Sequence, residues 1–166
     1  MIITVTGTPG TGKTTISEAL DLPVIHLTEF VKERGLGEQK EEFEVDIDAM
    51  IQALEEEVEK YDEVVIEGHL SHYYPADICF VLRCDPEVLD ERLEEREYSE
   101  TKVRENLESE ALDIVLSQAV ENQDIVVEID TTDLSVEEVV DEIEEKIDEW
   151  PELESEYGQV DWSSWL

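Results

Sequence analysis

A glycine-rich octapeptide near the N-terminus, Gly7-Thr8-Pro9-Gly10-Thr11-Gly12-Lys13-Thr14, constrains this chain more than any other feature. An apolar, β-branched run precedes it at residues 2–6, and a helical pattern follows at 13–20. A strand that feeds a glycine turn and then a helix is the opening of a βαβ unit. Such units build parallel sheets covered by helices. The octapeptide has the spacing G-x-x-x-x-G-K-[ST]. Its glycines free backbone N–H groups to face phosphate oxygens, and the helix start adds the positive end of its dipole. Lys13 can reach β- and γ-phosphates, and the Thr14 hydroxyl can ligate Mg²⁺. A glycine turn with a chance lysine is the alternative, and the strand-and-helix context disfavours it. The candidate ATP-holding residues are Gly10, Thr11, Gly12, Lys13, Thr14 and Thr15, together with Arg96 from farther along the chain.

The rest of the chain repeats the alternation. Residues 24–27, 63–67, 78–83 and 125–129 read as four further strands. Helices are predicted over 28–34, 46–61, 85–96, 99–122 and 135–149, and residues 38–45 read as loop. The fold class is α/β, a P-loop NTPase with a five-stranded parallel sheet and helices on both faces. Its 166 residues suit one domain, 1–150, followed by a C-terminal tail at 151–166. No apolar run nears the roughly 18 residues that span a bilayer, and no basic leader opens the chain, so the expectation is a cytoplasmic protein without a membrane partner. Cys79 and Cys84 form neither a zinc pattern nor a disulfide framework.

The third strand ends in Glu67-Gly68-His69. An acid at the carboxyl end of a strand beside the phosphate loop can orient Mg²⁺ and its waters, so Glu67 joins Thr14 as a candidate metal-site residue. His69 can set water or phosphate geometry. His26 and His72 read as structural.

Charge sharpens the picture. Lys and Arg total 11 against 47 Asp and Glu, a net charge of −36. That argues against an extended nucleic-acid-binding face and against an anionic membrane surface. Acid spread along the whole chain with only six lysines fits a protein that works in concentrated salt, a halophilic composition. Five of the eleven cations fall between residues 83 and 104: Arg83, Arg92, Arg96, Lys102 and Arg104. Arg92 and Arg96 are four apart and share a helix face. Phosphoryl transfer needs such cations, and a basic segment that closes over the phosphates is the expected lid, with Arg92, Arg96 and Lys102.

Taken together, these residues resemble the adenylate kinase isoenzyme 6 family, also called the coilin-interacting nuclear ATPase family, over about residues 3–147. The resemblance rests on the loop at 7–15, on Glu67-Gly68-His69 with Tyr73-Tyr74-Pro75, on Val81-Leu82-Arg83, and on residues 91–98 with Lys102 and Asn106. It implies a nucleoside monophosphate kinase that transfers the γ-phosphoryl of ATP to AMP with Mg²⁺, with ATPase activity besides. The alternative it implies is an ATPase assembly factor for small ribosomal subunit maturation, partnered by a small-subunit ribosomal protein. By the same resemblance, residues of about 26–49 form the monophosphate region, with Thr28, Lys32 and Arg34 in contact, and about 95–105 form a short lid. Lys13, Glu67, His69 and Arg96 are then the expected catalytic residues.

Overall fold

The computed structural model describes residues 1–40 and 43–166. Five strands, β1 (Ile2–Gly7), β2 (Val24–His26), β5 (Val64–Glu67), β6 (Ile78–Arg83) and β7 (Val126–Asp130), form one parallel sheet in the order β2-β5-β1-β6-β7. The helices are α1 (Lys13–Ala19), α2 (Leu27–Glu33), α3 (Ile47–Val58), α4 (Pro86–Glu94), α5 (Glu100–Ala111), α6 (Ile114–Asn122) and α7 (Val136–Glu149). The strand period of two sorts β6 onto two faces. Ile78, Phe80 and Leu82 pack with Ile16, Val139 and Ile143, from α1 and α7. Cys79 and Val81 face the other way, against Leu116 and Ala119 of α6. Both faces of the sheet are therefore dry, as all-parallel sheets require.

Local chemistry starts most helices. Asp46, Asp85 and Ser99 accept hydrogen bonds from the backbone N–H of Ala49, Glu87 and Lys102, and Pro86 takes the first helical position of α4. Ser135 and Glu138 complete a capping box.

Two sequence expectations fail, each for a tertiary reason. Residues 38–45 were expected as loop, but the chain forms an antiparallel pair of short strands, β3 (Gly37–Gln39) and β4 (Phe43–Val45), with Glu41 and Glu42 outside the described residues. A Cβ at Gly37 would lie 2.1 Å from the Glu44 carbonyl oxygen, so glycine permits the pairing. The single helix expected over 99–122 is two helices. Asp113 sits between them at φ +57. The Arg83 guanidinium holds this break, accepted by the Glu110 carbonyl and the Asp113 carboxylate.

The tail at 151–166 packs along β7. Glu156 bridges Val127 in parallel, Leu153 is buried, and Trp162 lies 4.9 Å from the Arg83 guanidinium carbon. Trp165 reaches the small core between α4 and α5.

The acidic shell gives a prediction about salt. Lowering ionic strength from about 1 M to about 0.1 M lengthens the Debye length from roughly 3 Å to roughly 10 Å. A net charge of −36 then repels itself across the fold. The melting temperature should fall in that titration, and a melting temperature independent of salt would contradict the reading.

Candidate active site

The phosphate loop joins β1 to α1 at the carboxyl edge of the sheet. Gly10 takes φ +95, and a Cβ there would lie 2.8 Å from Leu89 of α4, so only glycine lets the loop lie this close to that helix. The Thr8 carbonyl gathers the loop around itself. It accepts from the Thr11 N–H at 3.3 Å, the Thr11 hydroxyl at 2.8 Å and the Lys13 ammonium at 3.2 Å. Burial pulls the Lys13 pKa down to about 8, and Arg96 pushes the same way. Glu67 and Glu110 oppose that fall without cancelling it.

Glu67 ends β5 with 6% of its surface exposed. Its Oε1 accepts from the Thr14 hydroxyl at 3.2 Å and from His26 Nδ1 at 2.8 Å. The parallel register sets His26 of β2 directly beside Glu67. Sequence reasoning assigned His26 to structure only. A strand's neighbour cannot be read from its own residues, so nothing local announced this pair. Glu18 stands 3.4 Å from His26 Nε2 on the open side. Thr14 and Glu67 offer two hard oxygens, which suits a divalent cation that completes its shell with water and phosphate, as Mg²⁺ does. Among the described residues no cluster of three or more His, Cys, Asp or Glu exists that could hold a metal by itself.

Two cavities meet here. A cleft of about 1050 Å³ runs from Thr8, Lys13 and Thr14 past His26, Thr28 and Lys32 to the β4 strand. It also reaches Glu67, His69 and Tyr73, and the α5–α6 side with Lys102, Asn106 and Gln118. A second cavity of about 410 Å³ lies behind the loop, lined by Gly10, Thr11, Gly12, Thr15, Arg92 and Thr131 and closed by Leu134, Val136 and Val139. Arg96 borders both.

The expected site residues thus divide. Lys13, Thr14, Glu67, His69, Arg96, Thr28, Lys32 and Lys102 converge on the large cleft, while Gly10, Thr11, Gly12, Thr15 and Arg92 line the smaller cavity. Arg92 does more than border it, donating to the Gly10 carbonyl at 3.5 Å and the Thr131 carbonyl at 3.3 Å, so it braces the loop. Arg34, expected beside the monophosphate, lies outside both cavities. It follows the last turn of α2, where it pairs with Glu57 at 2.8 Å and stacks over Phe30. Arg83 and Arg104 leave the expected cationic group as well. Arg83 is 1% exposed among Glu110, Asp113 and Glu128, and Arg104 pairs with Glu108 on the surface. His72 is buried, accepts from the Thr6 hydroxyl at 2.8 Å and donates to Gln118, and burial lowers its pKa to about 4. Sequence reasoning did not single out Glu110, whose carboxylate meets the phosphate loop at Thr8.

Residues 3–113 match the AAA domain family. A protein of Thermococcus gammatolerans named "Putative adenylate kinase" is 45% identical, over 98% of this chain and 93% of its own length. One of the same name from Natronomonas pharaonis is 44% identical over the full length of both. Among solved structures, shikimate kinase from Bacteroides thetaiotaomicron superposes with a TM-score of 0.58 at 20% identity, covering 89% of this chain and 98% of that one. Deoxyadenosine kinase from M. mycoides with bound dATP gives 0.57 at 15% identity, over 89% of this chain and all of that one. At those identities the likeness concerns the fold.

Proposed function

The chain belongs to the family of the archaeal proteins named "Putative adenylate kinase", and on that premise we propose that it is a nucleoside monophosphate kinase, an adenylate kinase that converts ATP and AMP into two ADP. The observation that carries the reading is Arg96, which borders both the cavity behind the phosphate loop and the cleft in front of it. A cation between two nucleotide-sized spaces is where a phosphoryl group in transit needs charge stabilisation. The adenosine of ATP fits the smaller cavity, where Leu134, Val136 and Val139 offer apolar contact to a base. AMP fits the cleft, with its phosphate toward Lys32 and Thr28.

Thr14 and Glu67 would hold Mg²⁺, which neutralises phosphate charge when bound. His26 fixes the Glu67 carboxylate from the side. Lys13 and Arg96 stabilise the transferring group, and His69 lines the acceptor side of the cleft. No general base is needed, because the acceptor phosphate is already a nucleophile. Residues of about 95–105 act as the lid, and Lys102, which lines the cleft, moves with it. These roles coincide with those implied by the resemblance to the isoenzyme 6 family, except at Arg34.

Purified protein in high salt with Mg²⁺, ATP and AMP should form ADP at a rate that saturates with AMP. Hydrolysis of ATP indifferent to AMP would sink the kinase reading and favour the ATPase assembly factor. Recovery of a small-subunit ribosomal protein with the chain at cellular salt would then identify its partner.

A further inference from the structure

We propose that Glu110 is a positioning residue for the phosphate loop, acting through the Thr8 hydroxyl to hold the carbonyl that carries Lys13. The proposal rests on the reading of that loop as a phosphoryl-transfer site.

Glu110 is 2% exposed near the end of α5, far from the loop in sequence and in contact with it in space. Its two oxygens do different things. Oε2 accepts from the Cys84 N–H at 2.8 Å and from Arg83 Nε at 3.2 Å. Oε1 accepts from the Thr8 hydroxyl at 3.0 Å. The first arm explains why a carboxylate is tolerated here, since a buried charge needs a partner. It does not explain the second arm. Arg83 already has Asp113 and Glu128 on its other nitrogens.

The second arm explains a property the loop lacks by itself. Thr8 lies between Gly7 and Gly10, in a segment rich in backbone freedom. Its carbonyl carries the Thr11 N–H, the Thr11 hydroxyl and the Lys13 ammonium. Rotation of Thr8 would displace all three donors together. A charged acceptor makes a stronger hydrogen bond than a neutral one, and Glu110 supplies it from a rigid, buried helix end. Lys102 and Asn106 lie eight and four residues earlier on the same face of α5, and both line the cleft. The Glu110–Thr8 bond therefore sets the height of that face against the loop as well as the direction of Lys13.

The test uses the full chain in high salt with three variants, Thr8→Val, Thr8→Ser and Glu110→Gln. Valine keeps the shape of Thr8 and removes only the hydroxyl, and the Arg83 cluster stays paired. Thr8→Val should lower kcat about tenfold, with smaller changes in KM for ATP and in melting temperature. Thr8→Ser should restore kcat to within about twofold of the parent. Glu110→Gln should add little in the Thr8→Val background, because both substitutions break the same link. The direct readout is the Lys13 side-chain resonance in isotopically labelled protein, which should move in Thr8→Val and return in Thr8→Ser. An unmoved Lys13 resonance would overturn the proposal, as would equal losses in Thr8→Val and Thr8→Ser, or independent effects of the two sites. If the parent makes no ADP from AMP, the kinase reading fails on its own, and the Lys13 resonance still decides the role of Glu110.

Discussion

Replacing Lys13 by alanine is expected to lower kcat about 10²- to 10³-fold while leaving the chain folded. Lys13 is the cation that the phosphate loop holds against its own Thr8 carbonyl. In water an ammonium contributes little to a phosphate, but inside the cleft it is already oriented and partly stripped of solvent. The same burial that pulls its pKa down to about 8 gives the prediction a pH signature. The loop needs the ammonium, so kcat/KM should fall as pH rises through about 8, where the free enzyme loses that proton. The limb in kcat should lie higher, because bound phosphate favours the charged form. The effect on stability has the opposite sign. Folded Lys13 binds fewer protons than unfolded Lys13 between about 8 and 10.5. Its penalty is therefore present below about 8 and relieved as pH rises toward 10.5. Turnover in Lys13→Ala within tenfold of the parent, or a kcat/KM flat from pH 7 to 9, would refute the assignment.

Much of this was legible because it was local. The glycine octapeptide and the strand before it lie within 14 residues, and the spacing alone announces their chemistry. The strands announced themselves as apolar runs, and Asp85 before Pro86 and Ser135 ahead of Glu138 marked helix starts by their side chains. What stayed hidden depends on pairs distant in sequence. The break at Asp113 puts a non-glycine residue at positive φ, and its carboxylate is held by Arg83, 30 residues earlier. His26 enters the site because β2 pairs with β5 in one register, and a shift of one residue would turn it to the other face. Arg34 misled for a simpler reason. A cation at the end of a short helix can swing to either side, and Glu57 of α3 captures it away from the cleft. Arg83 falls in the same cationic stretch of sequence as Arg92 and Arg96, but charge in a sequence carries no direction, and its 1% exposure shows that it faces inward.

Arg83→Ala should destabilise the fold more than any surface substitution, by about 3–5 kcal/mol, the cost of breaking a buried ion pair by removing one partner. One guanidinium binds Glu128 at 2.6 Å, both the side chain and carbonyl of Glu110, and Asp113, while Trp162 of the tail covers its face. Without it, two carboxylates with side chains 2–3% exposed have no cation. For a chain of this size that corresponds to a melting temperature lower by roughly 6–20 °C. Arg83→Lys should recover little of the loss, since a single ammonium cannot span four acceptors in one plane. The defect should also depend on pH. Burial already raises the Glu110 pKa above the ordinary carboxylate value, and Arg83 is the main group opposing that rise. Remove Arg83 and the protonated carboxyl becomes the favoured buried form. The melting-temperature gap between Arg83→Ala and the parent should therefore widen as pH rises from 5 to 8 and narrow again on acidification. Trp162 should become more solvent-exposed in the same variant, visible as a red shift in tryptophan emission. A gap that is constant with pH, or a melting temperature within about 2 °C of the parent, would show that the three acids tolerate the loss of their cation. The tail would then be held by Glu156 on the edge of β7 rather than by Arg83.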